Sequence, residues 1–339
     1  MSTLFFYLPM LLLFSLVAVY TERKVAAFVQ DRIGPMEVGY QGLLQTVADL
    51  LKLLQKEAIV PAAADKVLFV WAPVWMLTTV LAAFAVLPVT NAWAGAGTAA
   101  GVLYLLTFTS LKTLGIVVAG WASNNKYARL GSMRAATQMV AYEIPLGLSI
   151  LCVIVVCQTL DLQIISAQQG PGLWAWNVFR VPPLLLVYPI FFIAALAACQ
   201  RAPFDLAESE SELIGGYHTE YGGIRWAWIM LTEYSMVLLM SLLGAILFWG
   251  SWNTPFFDVG PCPLGTWTSG AAGTLAGHLW AGFWLLSKAL ITVAIKMWIR
   301  WTFPRIQFDQ LMCLCWQYLT PAVLTLLLLV LGWCAWRLP

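Results

Sequence analysis

Long apolar runs separated by short polar segments organise the whole chain. Eight runs stand out: Leu4–Tyr20, Val67–Val89, Ala99–Trp121, Met139–Leu160, Val181–Ala198, Trp226–Gly250, His278–Trp298 and Cys313–Trp336. Each is close to the roughly 20 apolar residues that a helix needs to cross about 30 Å of hydrocarbon. Between the first two lies a different pattern. From Gly42 to Glu57, Leu43, Leu44, Val47, Leu50, Leu51 and Leu54 repeat with helical spacing, whereas Gln45, Asp49, Lys52 and Lys56 take the other side. This segment is too short and too charged to span, and Pro61 closes it off. It predicts an amphipathic helix at the membrane interface, acting either as a headgroup-level anchor or as one wall of a lipid-side entrance. The expected fold is therefore an all-α integral membrane protein, one polytopic domain over residues 1–339, with eight transmembrane helices and an amphipathic helix over about 42–57 on the cytoplasmic side.

Composition reinforces this reading. The chain is 61% hydrophobic and 10% charged, with a mean hydropathy of +0.81, far from the half-apolar balance of soluble domains. The first run has no basic residue ahead of it and is followed directly by Glu22-Arg23-Lys24, so it is expected to be a retained span, not a leader peptide. Placing the loop after it in the cytoplasm gathers nearly all loop Lys and Arg on that side and leaves Arg180 and Arg337 opposite. The positive-inside rule then puts both termini on the periplasmic side of a bacterial inner membrane. The seven cysteines are scattered without a Cys-x-x-Cys pair, so neither an iron–sulfur nor a zinc site is expected. A net charge of +2 without basic runs argues against nucleic acid. The glycine- and tryptophan-rich loop Ser251–Gly277 reads as an outer cap without chemistry.

Against this background, five of the sixteen acids fall between Arg201 and Glu220: Asp205, Glu208, Glu210, Glu212 and Glu220. Charge is costly beside a bilayer, so an acidic loop at about 199–225 points to proton or cation chemistry. Arg201 and Arg225 are the only cations close in sequence, which calls for shared protons or arginines from elsewhere. If the loop is helical, Glu208 and Glu212 share a face and repel. A plain solvated loop is the competing reading, but Pro203, Phe204, Leu213 and Ile214 interleave the acids as packed residues do. His218 fits either proton transfer or a structural hydrogen bond.

Two further acids, Glu143 and Glu233, lie inside apolar runs, the first next to Pro145, which is expected to distort the start of its helix. Lys112 and Lys288 also lie deep, whereas Lys296, near the end of its run, is expected to snorkel outward. Intramembrane acids and lysines facing a bundle interior suit a proton relay, although static ion pairs would use the same residues. Arg32, before the Gly34-Pro35 turn, has the donors to clamp a carbonyl, a carboxylate or a partner loop. The loop from Ser123 to Arg129 suits protein docking.

These motifs resemble one family: the H-type membrane subunit of proton-pumping NADH:quinone oxidoreductase, respiratory complex I. The matching segments are Glu22-Arg23-Lys24, Arg32-Ile33-Gly34-Pro35, the 42–57 helix with Asp49 and Lys52, Ala122 to Tyr127, Tyr142-Glu143, Arg201 to Glu212, Thr219-Glu220-Tyr221 and Glu233-Tyr234, in order along the chain. The resemblance implies a subunit without a redox centre or bound cofactor of its own, with quinone as substrate and with FMN and iron–sulfur clusters in its partners. It implies hydrophilic quinone-site and iron–sulfur subunits on the cytoplasmic face and antiporter-like subunits in the membrane. By the same resemblance, Arg32, Asp49, Lys52 and Phe28 line the quinone passage, and Glu143, Asp205, Glu208, Glu210, Glu212, Glu220 and Glu233, with Lys112 and Lys288, form a proton path. There are two departures. Ala198 stands where the family commonly has a glutamate, and Met36-Glu37 where many members have Asn-Arg. The anchor of a related membrane-bound hydrogenase and a stand-alone proton-coupled transporter are the rival readings. The transporter would be expected to show internal repeats, and none is visible in the sequence.

Overall fold

The computed structural model describes residues 2–90, 97–256, 264–269 and 274–337, without the side chains of 2–6, 210–211, 264, 266–267 and 337. All regular elements among the described residues are helical. They are α1 (Ser2–Val29), α2 (Gln45–Gln55), α3 (Lys66–Phe84), α4 (Gly101–Ala122), α5 (Lys126–Cys157), α6 (Leu162–Gln168), α7 (Asn177–Arg180), α8 (Pro182–Ala198), α9 (Glu210–Leu213), α10 (Gly223–Leu247), α11 (Leu264–Ser269), α12 (Leu275–Thr302), α13 (Phe308–Cys313) and α14 (Thr320–Arg337). A π-helical stretch, Leu314–Leu319, joins the last two. By length and composition six helices among the described residues can cross a membrane: α3, α4, α5, α10, α12 and the run Phe308–Trp336. The Pro182–Ala198 helix is shorter.

Local chemistry sets the helix starts. Asp65 accepts from the amides of Val67 and Leu68, Asn125 from Tyr127, Asp161 from Gln163 and Thr274 from Gly277, each supplying an acceptor to amides that no helical carbonyl reaches. The Asn125 cap corrects one expectation. The helix expected over Met139–Leu160 begins at Lys126, so Pro145 lies well inside α5 and does not mark its start. The segment 126–138 carries three Ala and two Arg among its helix formers but is not apolar enough for a hydropathy run to register it.

Helix α10 forms the axis of the bundle. Every residue from Thr232 to Phe248 is buried, and α3, α8, α12 and α1 pack around it, with α5 bridging α4, α8 and α14. The outer surfaces reverse the soluble pattern. Leu13 and Val17 on α1, Trp71 on α3, Leu279, Ile291 and Trp298 on α12, and Leu328 and Leu329 on α14 are exposed, as helices facing hydrocarbon require. On α2, Leu50, Leu51 and Leu54 are likewise uncovered, together with Leu43 and Leu44 before it. The helix is shorter than the expected 42–57 segment, and it is tied to α1 by an Arg23–Asp49 ion pair of 2.5 Å. Within the outer loop expected as a cap, 257–263 and 270–273 lie outside the described residues.

Candidate functional site: a buried acid–arginine cluster

At the loop end of α8 the chain turns at Gln200, in the left-handed region with φ 53°, and places Arg201 against the first turns of α10. Gln138 of α5, fully buried, fixes this turn by donating to Ala197 O at 3.0 Å and Phe204 O at 2.8 Å. Downstream, Gly216 adopts φ +59°, and a Cβ there would sit 1.8 Å from Ala207 O. Only glycine fits this crossing of two loop strands. The next residue, Tyr217, is thereby set beneath α10.

The centre is Glu233, 1% exposed on α10. Its Oε1 accepts from Tyr217 OH at 2.8 Å, and its Oε2 lies 3.2 Å from Arg201 Nη2. That contact is an ion pair by distance but not a directed hydrogen bond, and both atoms lack a hydrogen-bond partner among the described residues. Arg201 also faces Glu22 of α1 at 3.9 Å and stacks over the Tyr234 ring at 4.3 Å. Tyr234 OH donates to Glu22 Oε2 at 2.5 Å, and Arg300 of α12 pairs with Glu22 Oε1. Glu208 lies 3.7 Å from His218 Nδ1 and is near enough to Glu233 for the two carboxyls to affect each other's charge. Asp205 pairs with Arg305 at 3.3 Å. On the far side, Lys112 Nζ donates to Gln200 Oε1 at 3.4 Å.

Two neighbouring buried carboxyls resist both being charged. Burial first, and then the neighbouring charge of Glu233, push the Glu208 carboxyl well above its ordinary range, which favours its protonated form. Burial also raises Asp205, with Arg305 opposing. A carboxyl raised on folding binds more protons in the native state than in the unfolded one, so it stabilises fully below the ordinary carboxylate pKa of about 4.3 and loses that contribution as pH rises through its raised value. Glu208→Gln is therefore expected to flatten the fall in melting temperature of the purified assembly over that window; an unchanged slope would assign the proton elsewhere.

The structure thus brings Asp205, Glu208 and Glu233 together, with Lys112 one side chain away. Other expected members are held apart. Glu143 accepts from Ser110 on the α4 side of α5; Glu212 is exposed and pairs with Arg134 at 2.5 Å; Glu220 accepts from Asn125 at 2.6 Å; and the Glu210 side chain lies outside the described residues. The helical pairing of Glu208 with Glu212 does not form, because α9 begins only at Glu210. Lys288 donates to the carbonyls of Ser251 and Asn253 at 2.9 and 2.6 Å and faces the Trp176 ring at 4.1 Å. It satisfies the chain just beyond α10, roughly 25 Å along that helix from Glu233. Lys296 does not snorkel: α12 packs on α10 and turns it inward, 6% exposed.

Sequence reasoning missed Glu22, Tyr217, Tyr234, Arg300 and Arg305 as members of the site. The position of Glu22 just past the first apolar stretch was the available signal. The arginines that neutralise the loop come from a helix and turn about a hundred residues away in the chain.

The expected quinone residues lie beside this cluster. Ala27, Phe28, Asp31, Arg32 and Ile33 line an open concavity of about 560 Å³ at the end of α1, with Phe28 88% exposed. Phe28 is six residues beyond Glu22, about 9 Å along the helix. Asp49 and Lys52 are on α2, 3.8 Å apart; burial raises the Asp49 carboxyl, but the hydrogen bond and charge of Arg23 outweigh this and hold it below its ordinary value.

Comparison with known proteins places the chain in a family. The chain is 48% identical to the second of the NADH-quinone oxidoreductase H subunits of Cytophaga hutchinsonii, over 99% of both chains. It is 46% identical to the NADH-quinone oxidoreductase H subunit of Chlorobaculum tepidum, over 93% of this chain and 86% of that one. Against the protein of the same name from Bacillus mycoides it is 44% identical, over 95% and 91%. With the NADH dehydrogenase family model matching residues 1–331, the chain belongs to that family.

Proposed function

We propose that this chain is the H-type component of a membrane-bound NADH:quinone oxidoreductase, admitting quinone at the end of α1 and passing the charge change of its reduction to protons in the buried cluster. The carrying observation is the pair of neighbouring buried carboxyls, Glu208 in the loop and Glu233 on α10, gathered around Arg201. The chain supplies titratable side chains, not electrons. Electrons come from partner subunits that hold FMN and iron–sulfur clusters.

In this reading α1 and α8 complete eight spans, both termini face the periplasm, and the exposed leucines of α2 lie in the headgroup region of the inner membrane. Quinone enters between α1 and α2, past Phe28, with Arg32, Asp49 and Lys52 at the mouth. Hydrophilic quinone-site and iron–sulfur subunits cover the cytoplasmic loops, and antiporter-like subunits adjoin the membrane faces. When quinone is reduced near the mouth, the added negative charge draws Arg201 toward the Glu22 side and away from Glu233. The guanidinium of Arg201, shared between Glu22 and Glu233, is the element that transmits the change. As Arg201 leaves Glu233, that carboxylate takes the proton held by Glu208, and Glu208 reloads through the loop beside His218 and Asp205. Lys112 and Glu143 continue the path across α4 and α5.

Mass spectrometry of what co-purifies with a tagged copy, extracted in mild detergent from its native membranes, tests the assembly. Flavin, iron–sulfur and antiporter-like subunits are expected. A nickel–iron hydrogenase subunit would instead indicate a hydrogenase anchor, and a homo-oligomer alone a transporter.

A further inference from the structure

Helix α12 carries a buried cation, Lys296, one turn before the half-buried Arg300, that the scheme above leaves unused. Lys296 Nζ donates to Ser241 Oγ at 3.0 Å, and Ser241 commits its own proton to Val237 O at 2.7 Å. An ammonium has three donors, and Ser241 is its single hydrogen-bond partner among the described residues. None of the described carboxylates lies within ion-pair distance of it. A fixed charge buried this way is costly, whereas an amine able to give up its proton is not.

Beside Lys296 lies a cavity of about 20 Å³ lined by Glu22, Cys199, Arg201, Tyr234, Lys296 and Arg300 among others. That is room for one water, with polar groups on several sides. We propose that Lys296 is a proton-exchanging residue that trades its proton with the Glu22 carboxylate through a water in this cavity, giving the acidic cluster a branch into the bundle along α12 and α10. In the step, an N–H bond of the ammonium breaks as an O–H bond forms on the water, and the water passes one of its own protons to Glu22. Ammonium and carboxylate become amine and carboxylic acid, and no further reactant is needed. The titratable and charged groups facing the cavity set the direction. Arg201 and Arg300 repel a second cation and favour release, whereas Glu22 attracts it; the Cys199 thiol and Tyr234 hydroxyl also line the cavity. Movement of Arg201 toward Glu22 during turnover would stabilise that carboxylate and return the proton to Lys296.

This inference rests on the reading that the cluster carries protons, and its test separates the two. NADH-driven quinone reduction and proton translocation are measured with the whole complex in closed inverted vesicles for Lys296→Met, Lys296→Arg and the reference Glu233→Gln. Both Lys296 variants are expected to lose coupled turnover by about 10²-fold, because methionine carries no proton and arginine does not release one. Full activity in Lys296→Met, or rescue by Lys296→Arg, overturns the inference while a defective Glu233→Gln leaves the wider reading standing. Full activity in Glu233→Gln overturns the wider reading itself. If Lys296 variants fail to assemble, Ser241→Ala decides. It removes only the acceptor, and the pH profile of turnover is expected to shift; an unmoved profile contradicts the proposal.

Discussion

Glu233→Gln is expected to lower quinone-linked, proton-coupled turnover by about 10²-fold while the complex still assembles. The amide keeps the shape of the carboxyl and its acceptor for Tyr217 OH, and Arg201 keeps Glu22 as a counter-charge, so packing is spared. What disappears is a site that can accept a proton from Glu208. With a neutral neighbour, Glu208 loses one of the influences that hold its proton in place, while burial, the larger one, stays. Turnover assays on membranes, with assembly followed on native gels, check both halves. Wild-type rates in an assembled complex would remove Glu233 from the path.

Arg201→Met is expected to act on stability. Three acidic partners of this site depend on one guanidinium: Glu233 at 3.2 Å, Glu22 at 3.9 Å and, through Glu233, Glu208. Removing one member of a buried pair leaves the other charge unpaired, which costs about 3–5 kcal/mol. The cation–π contact with Tyr234 is lost as well. The assembled complex should fall to a small fraction of its normal amount in the membrane, and Arg201→Lys, which restores charge without the planar fork, should recover part of it. Normal levels and melting temperature of the Arg201→Met complex would show that the cluster is held by something other than this residue.

The sequence made the membrane helices legible because hydrocarbon imposes length and composition directly. Apolar runs such as Trp226–Gly250 overlap closely with helices such as α10. It was less informative where helix and apolarity part company. The first third of α5 is helical through its Asn125 cap and good helix formers, not through hydrophobicity, and α2 proved shorter than its leucine pattern. The acids of the site were visible as costly residues in an apolar chain. Their partners were not, because pairing depends on how helices rotate against one another. Arg300 reaches Glu22 and Arg305 reaches Asp205 across a hundred positions or more, and no local pattern carries that information. Lys288 and Lys296 illustrate the same limit. They share a face on α12, yet one satisfies carbonyls beyond α10 and the other turns to Ser241 and a water-sized cavity beside Glu22.

The most direct test of the central claim is the simultaneous measurement of quinone reduction and proton movement in closed inverted vesicles carrying the wild-type complex and the double variant Glu208→Gln, Glu233→Gln. With both carboxyls replaced by amides, the pair can neither hold nor pass a proton, and proton movement and quinone reduction should collapse together. Vesicles that still reduce quinone and acidify at the wild-type rate and ratio would contradict the account.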